Sequence, residues 1–393
     1  DVPVLINSGN LTNRIRSGHG YLAQSYRLGS YRTVPRKEAP LPGVDGELAS
    51  LDSTYFVPVA ALSLTTYYNK QSRRFFSHTE DPLWSTVFGT PTITHKRKQS
   101  DGTEQSYVLP NDTAQLVTLQ NTVALSLMEG FRPWVKFGLS AYLRHENRWA
   151  SLPDSTTHRY AKDVALSSTF IGGLIERREG TGLNFSARGE LGILGSDLGA
   201  FKLEGDIRTA FRLFRKSFAL EADAYVDARP SYFAAHHHGT FGWWNKDLKF
   251  TRRIELGGKV HLASWGTSLE ARTASLQNYI YFDSKGETQQ HTDLLQVLSF
   301  RARQMGSTGP LNWELEAAYQ QSSNTSVLPL PLVTAAADVY LRFLVAKVMR
   351  VDLGVKGYWH TAYRAPYYLA TDQQFTLQTE GNVGGEAPLL IAY

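Results

Sequence analysis

Three consecutive histidines, His236, His237 and His238, are the residues of this sequence whose types most readily suggest metal binding. Successive side chains of an extended chain point to opposite sides, so at most two of the three rings can reach one ion. The pair His145 and Glu146 begins like the helical zinc motif, but position 149 is Trp where that motif needs a second His. We therefore interpret the histidine run as part of a loop and predict no metal site.

No arrangement of residues predicts an enzyme. The histidines His78, His145, His261 and His360 stand in no motif that would bring a Ser or Asp to their side. Cysteine is absent, which excludes thiolate nucleophiles and thiolate metal sites. The sequence also lacks a nucleophile elbow, a phosphate-binding loop and a dinucleotide fingerprint. We expect neither catalysis nor a cofactor.

Charged residues at alternate positions are the remaining functional candidate. The residues expected to line an interior are Lys202, Glu204, Asp206, Arg208, Arg253, Glu255 and Lys259. Because both signs of charge are mixed, these rows could be a ladder of ion pairs that fills the interior. They could equally form a pore constriction whose transverse field orients polar solutes. The pattern leaves both interpretations open.

The alternation that produces these rows predicts β-strands, since successive side chains of a strand point to opposite faces. The apolar residues expected to face lipid are Val135, Phe137, Leu139, Phe201, Leu203, Ile207, Phe218 and Leu220. Segments such as 201–213 are long enough to cross a membrane as tilted strands, whereas a soluble sandwich uses strands of about five or six residues. The pattern therefore favours an all-β, transmembrane antiparallel β-barrel.

The spacing of the alternating segments predicts about 14 to 16 strands in this chain, enough for a lumen that side chains alone do not fill. Short turns are expected at 195–197, 215–216, 266–267, 309–310 and 347. Longer polar connections are expected at 30–52, 81–111, 229–247 and 322–331. We predict that the long connections form one rim of the barrel and that the short turns form the other.

Composition limits the partners of the chain. The mean hydropathy is −0.29, and no apolar run approaches the roughly 20 residues of a membrane-spanning helix. The net charge of +5 arises from 41 basic and 36 acidic residues without a basic block, so no nucleic-acid surface is predicted. Asp1, Val2 and Pro3 do not open a signal peptide, and we expect a mature or trimmed chain.

Residues 276–283, LQNYIYFD, with Gly286 after them, are the first of four separated strings with a family resemblance. They are similar to one segment of the "putative porin" family of Bacteroidota outer membranes. Residues 360–368, HTAYRAPYY, are similar to a second, and residues 230–233 and 24–29 to two more. The family is longer on both sides, with further strands before Asp1 and a closing pair after Tyr393. The resemblance therefore implies either a longer chain or a barrel that closes with fewer strands.

The resemblance and the pattern together predict a single outer-membrane β-barrel over residues 1–393. Its expected function is the passive diffusion of small polar solutes through a charge-lined lumen, with membrane lipid and small solutes as partners. The alternative is a plugged or packed barrel that serves as a structural subunit beside other outer-membrane proteins.

Overall fold

One large antiparallel sheet dominates the computed structural model of this chain. The residues described are 11–34, 53–81, 84–91, 93–132, 135–153, 160–178, 182–213, 215–231, 236–371, 374–378, 381–385 and 389–392. Within them, fifteen strands form the sheet, and each strand pairs with the next one along the chain. The prediction of an all-β antiparallel sheet with 14 to 16 strands is confirmed.

The strands vary from the long pair at one edge to a short strand at the other. They are β1 (Leu11–Val34), β2 (Ser53–Ser77), β3 (Asn111–Leu127), β4 (Gly138–Pro153), β5 (Tyr160–Arg177), β6 (Leu183–Gly195), β7 (Phe201–Leu213), β8 (Lys216–Arg229), β9 (Thr251–Leu262), β10 (Thr267–Gln277), β11 (Leu295–Thr308), β12 (Leu311–Ser322), β13 (Val333–Val345), β14 (Met349–His360) and β15 (Leu389–Ala392).

The two-residue period of the sequence gives this sheet two unlike faces. We call the face that carries Lys202 and Glu204 the charged face and the opposite one the apolar face. On the apolar face, Leu203 and Ile207 are 53% and 50% exposed. Continuous apolar surface left open in this way marks a face that meets lipid or another protein.

The strands end at two rims. At the long-loop rim lie the connections 78–110, 230–250, 278–294 and 361–388, and at the short-turn rim lie 214–215, 263–266, 309–310 and 346–348. Several predicted turns have a residue with a positive φ: 65° at Arg215, 63° at Gly266, 55° at Gly309 and 62° at Lys347. A left-handed residue lets the chain reverse within two to four residues.

The predicted rim was wrong for two connections. Val34 pairs with Ser53, so the connection predicted at 30–52 joins β1 to β2 at the short-turn rim. The turn at 195–197 joins β6 to β7 at the long-loop rim, although it is short. Antiparallel strands reverse direction at every step, so the position of a connection in the strand order fixes its rim, and its length does not.

Smaller elements stand at the long-loop rim. A five-residue helix spans Trp84–Phe88. Four two-stranded rim hairpins are formed by His95–Lys98 with Glu104–Tyr107, His236–Gly239 with Gly242–Asn245, Tyr279–Phe282 with Thr288–His291, and Tyr367–Leu369 with Gln374–Thr376. None of the helices in the described ranges is both long and apolar enough to cross a membrane.

Rim elements pack against the charged face near β2 and β3. Phe75 of β2 has no exposed surface, and its ring meets the edge of Phe88 at a centroid distance of 5.7 Å. Phe241, at the tip of the 236–245 hairpin, lies 5.2 Å from Phe88. Beside it, the backbone N–H and the hydroxyl of Thr240 donate hydrogen bonds of 2.8 and 2.9 Å to the carboxylate of Asp112 in β3. The hairpin thus leaves β8 and reaches across β4–β7.

A substitution on the apolar face tests which face meets lipid. Ile207→Arg near the middle of β7 should destabilise the folded protein by about 2–4 kcal/mol, because a charge at the bilayer midplane is costly. Urea unfolding of protein refolded into lipid vesicles measures the change. Ala210→Arg is the matched control, since Ala210 is exposed on the charged face of the same strand. A larger loss for Ala210→Arg than for Ile207→Arg would contradict the assignment of the faces.

Candidate functional site on the charged face

The seven predicted lining residues lie on β7 and β9, with β8 between them. The register of the three strands sets them in rows: Lys202, Asp227 and Arg253; then Glu204, Tyr225 and Glu255; then Asp206, Asp223 and Gly257; then Arg208, Glu221 and Lys259. The residues of one row in adjacent antiparallel strands face the same side. The structure therefore brings all seven predicted residues onto one face.

Most of these charges have a partner of opposite sign. Lys202 Nζ lies 2.5 Å from Glu204 Oε2, and Arg188 of β6 reaches the same carboxylate at 3.7 Å. Arg253 Nε donates a hydrogen bond of 2.7 Å to Glu255. The ring of Tyr225 stands between the two basic residues, 5.4 Å from Lys202 Nζ and 5.3 Å from Arg253 Cζ. Its π face adds a weak attraction for both cations.

The row of Asp206 and Asp223 places two acidic residues opposite each other. Arg272 of β10 compensates this repulsion, since its two terminal nitrogens donate hydrogen bonds of 2.7 and 3.0 Å to Asp223. It passes over Gly257, where an added Cβ would lie 2.9 Å from Arg272 Cζ and 2.5 Å from Asp223 Oδ1. The sequence analysis did not predict Arg272 as a residue of the site, because its contact with Asp223 across β9 depends on the absence of a side chain at Gly257.

A denser ionic cluster lies on β4–β6 and was also missed. Arg144 contacts both Glu146 and Glu190, and Tyr142 donates a hydrogen bond of 3.1 Å to Glu190. The guanidinium of Arg144 stacks on Phe170 at 3.9 Å. The alternation that contains Leu139 continues along β4, so Arg144, Glu146 and Arg148 recur at every second position. That spacing was the available signal.

The cluster continues to the long-loop rim. Asp197 is 6% exposed and accepts a hydrogen bond of 2.6 Å from the Ser168 hydroxyl, while its own N–H donates to that oxygen at 3.2 Å. Arg148 contacts the same carboxylate. A cavity of about 360 Å³ opens between Asp197, Arg148, Lys202 and Arg229.

Exposure divides the charged face into two zones. The side chains of Arg144 and Glu190 are 15% and 17% exposed, whereas Arg208 and Asp206 are 65% and 40% exposed. The first zone is the ionic cluster on β4–β6, and the second includes Asp206 and Arg208 of β7. Ion pairs in the exposed zone are screened by water and contribute little stability, but they leave polar surface open.

The residues predicted to face lipid are spread over β4, β7, β8 and the turn before β4. Leu203, Ile207, Leu220 and Leu139 are apolar residues with exposed side chains, whereas Phe201 and Phe218 are half-buried. Val135 and Phe137 were predicted to face lipid from a strand, but β4 begins at Gly138 and both residues lie in the turn 128–137. Val135 is 7% exposed, and its assignment to a lipid face is wrong because the turn covers it.

The histidine candidates do not assemble a site among the residues that the structure describes. His236, His237 and His238 form one strand of a rim hairpin, and their side chains lie outside the described residues. Where side chains are described, no group of three or more His, Asp or Glu is arranged to hold a metal ion. His145 instead contacts the Thr169 hydroxyl at 2.9 Å.

Two of the four strings that resemble the porin family, 276–283 and 24–29, contribute to turns and to a bulge and not to the charged face. Asn278 has a φ of 57° and donates a hydrogen bond of 2.9 Å to the Phe250 carbonyl, and Asp283 accepts hydrogen bonds from the N–H groups of Lys285 and Glu287. Asn278 lies between β10 and the 279–291 hairpin, and Asp283 lies in the turn of that hairpin, where burial raises the pKa of Tyr279. In β1, Gly29 lies at a bulge.

The sequence matches the protein family described as "Putative porin" along residues 1–393. A search of curated proteins finds no match. The fold is similar to solved structures of outer-membrane receptors, among them two variants of the ferric enterobactin receptor PfeA of Pseudomonas aeruginosa, one of them in complex with enterobactin. They are 11% and 12% identical to this chain, with TM-scores of 0.54 and 0.52.

Each of these alignments covers 85% of this chain and 54% of the receptor. The siderophore receptor PirA of the same organism aligns with 90% of this chain and 67% of its own length, at 11% identity and a TM-score of 0.49. This chain thus spans roughly half to two thirds of their length. The likeness to PfeA shows an outer-membrane β-barrel fold.

The two zones of the charged face should differ in what an ion pair contributes to stability. Arg144→Met leaves Glu190 without its cationic partner and Glu146 with Arg148 alone, in a nearly buried place, and should cost about 3 kcal/mol. Arg272→Met removes a pair that water screens and should cost about 1 kcal/mol or less. Unfolding in urea, followed by tryptophan fluorescence, compares the two. Equal losses would contradict the division into zones.

Proposed function

The chain belongs to the family described as "Putative porin", in the bacterial outer membrane, and from this we propose that it conducts small polar solutes by passive diffusion along the charged face. In this proposal the protein conducts solutes and has no enzymatic activity. Its source in the Bacteroidota, expected from the four sequence strings, is part of the same proposal.

The observation that carries the proposal is the exposure of the charged face below the rim. Arg208, Asp206 and Arg301 keep 65%, 40% and 56% of their side-chain surface open, although each has an ionic partner. A packed interior would bury these groups, because charged side chains inside a core are paired and shielded from water. An open, wetted wall with both signs of charge suits the passage of polar solutes.

The ionic cluster of β4–β6 supports selection at the entrance. A solute that enters from the long-loop rim first meets Arg144, Arg148 and Glu190 beside the 360 Å³ cavity. These groups are held by neighbours on three strands, so the local field has a fixed direction. Fixed charges of both signs favour solutes that carry a dipole over apolar ones.

Neutralising single charges should change ion selectivity in opposite directions. Glu204→Gln should raise the ratio of anion to cation permeability by about twofold, and Arg253→Gln should lower it by about as much, since each removes one fixed charge from the path. Reversal potentials of the purified protein in planar bilayers under a salt gradient measure this.

The control for this experiment is Arg252→Gln. Arg252 has the same charge and adjoins Arg253, but it lies on the apolar face of β9. It should leave the reversal potential unchanged. A protein that forms no channels, or one in which Arg252→Gln and Arg253→Gln act alike, would refute conduction along the charged face.

The second candidate function is a plugged barrel that serves as a structural subunit of an outer-membrane complex. The packing of Phe75, Phe88 and Phe241 and the Thr240–Asp112 contact favour it, since they hold the 236–245 hairpin across one side of the entrance. A barrel closed in this manner would offer its rim and its apolar face to other proteins.

A substitution that releases the 236–245 hairpin distinguishes the conducting barrel from the plugged structural subunit. Asp112→Ala leaves two donors of Thr240 without their acceptor and should destabilise the packed hairpin by about 1–3 kcal/mol. If the hairpin narrows a conducting path, single-channel conductance should rise. Asp293→Ala, an exposed position of the same rim, is the control. Absence of conductance in every variant, together with stable co-purification of other outer-membrane proteins, would favour the structural role.

A further inference from the structure

A group of basic residues lies on the apolar face near one edge of the sheet. Arg14 and Arg16 of β1 and Lys70 and Arg74 of β2 share this face, because Arg14 pairs with Arg74 and Gly18 with Lys70. All four side chains are exposed. We call them the basic patch. Unlike the seven predicted lining residues, they point away from the charged face.

The basic patch is not neutralised within the described part of the chain. Together with Ser72 and Thr113 it lines a groove of about 490 Å³, and no Asp or Glu is among the groove's lining residues. Arg74 donates a hydrogen bond of 3.2 Å to the side-chain oxygen of Asn111 and lies over the Phe76 ring at 4.0 Å. These neutral contacts hold the arginine in place and leave its charge free for an anion.

The patch stands directly above apolar surface. On the same face of β2, Leu62, Leu64 and Tyr68 are exposed, and Lys70 follows Tyr68 in the direction of the long-loop rim. At roughly 3.3 Å per residue, Arg74 lies roughly 20 Å further along the strand than Tyr68. The order along the strand is therefore apolar, aromatic and basic, which matches the order of acyl chain, interface and headgroup in a bilayer.

The position of the basic patch relative to the long-loop rim identifies the membrane leaflet that the patch faces. Outer-membrane barrels have short turns on the periplasmic side and longer loops outside. The patch lies close to the long-loop rim, since Arg74 precedes the end of β2 by three residues. It is thus at the height of the outer-leaflet headgroups.

Space for a bound molecule continues downward from the patch. Gly18 and Gly20 lie on the same face of β1, opposite Lys70 and Tyr68, and a Cβ added at either glycine would meet nothing within 4 Å. The missing side chains leave a shallow trough that runs toward Leu22. An acyl chain or a sugar can lie in this trough while its phosphate meets the basic patch.

We propose that the basic patch binds the phosphate groups of an anionic outer-leaflet lipid, with Arg14, Arg16, Lys70 and Arg74 as the contacts. Four cations without a carboxylate nearby are suited to a group that carries more than one negative charge. Apolar surface on the same face suits a phosphate that is attached to acyl chains rather than one free in solution. This site is separate from the conducting path, and the proposal does not depend on conduction.

The full chain, purified in a neutral detergent, tests the proposal with three probes: lipid A with two phosphates, the same lipid after removal of its phosphates, and inorganic phosphate. Native mass spectrometry measures lipid retention. The protein should bind the phosphorylated lipid about tenfold more tightly than the dephosphorylated one, and R14Q/R16Q/K70Q/R74Q should lose about that factor.

The matched control is R132Q/K136Q/R215Q/K347Q, which removes four basic residues that are exposed at the short-turn rim. It should bind the phosphorylated lipid like the unchanged protein, and heat-dependent gel mobility shows whether each variant is folded. If the quadruple patch variant does not fold, the proposal is tested by the single variant K70E and by the comparison of the two lipids in the unchanged protein. Equal binding of both lipids, full retention by the patch variant, or displacement of the lipid by millimolar inorganic phosphate would overturn the proposal.

Discussion

Strand register is the constraint on which the other features of this structure depend. A pleated strand sends successive side chains to opposite faces, so a slip of one residue between β7 and β8 would move Glu204 and Asp206 to the apolar face. The unlike faces oppose such a slip, because a charge among apolar neighbours is expensive and a leucine among ion pairs gains nothing. Each row of the charged face, from Lys202–Asp227–Arg253 downward, follows from this one alignment.

Local pattern was sufficient for the strands but not for contacts between distant strands. The alternation in 201–213 depends only on neighbouring residues, and it matches β7 residue for residue. The contact of Arg144 with Glu190 joins positions 46 residues apart, and Arg272 reaches Asp223 over 49 residues. No local pattern contains that information. The error at Val135 has a related cause, since an apolar residue covered by a turn and one on a strand look alike in sequence.

The charged residues on the two faces of the sheet have different surroundings. On the charged face, Lys202 and Arg253 have a carboxylate close by, so their fields cancel within a few ångströms. On the apolar face, Arg14 and Arg16 have none in their groove, and their fields add. The net charge of +5 therefore does not describe how charge is distributed: a near-neutral polar face coexists with a strongly positive groove on the opposite face.

The contact between Thr240 and Asp112 also bears on the order of assembly. Its two residues are separated by 128 positions, far more than the hairpin pairings of neighbouring strands. Forming such a contact has a large cost in loop-closure entropy unless the strands between the two residues have already brought them close together. We therefore expect the 236–245 hairpin to dock only after β3–β8 have formed, as a late step of folding in the membrane.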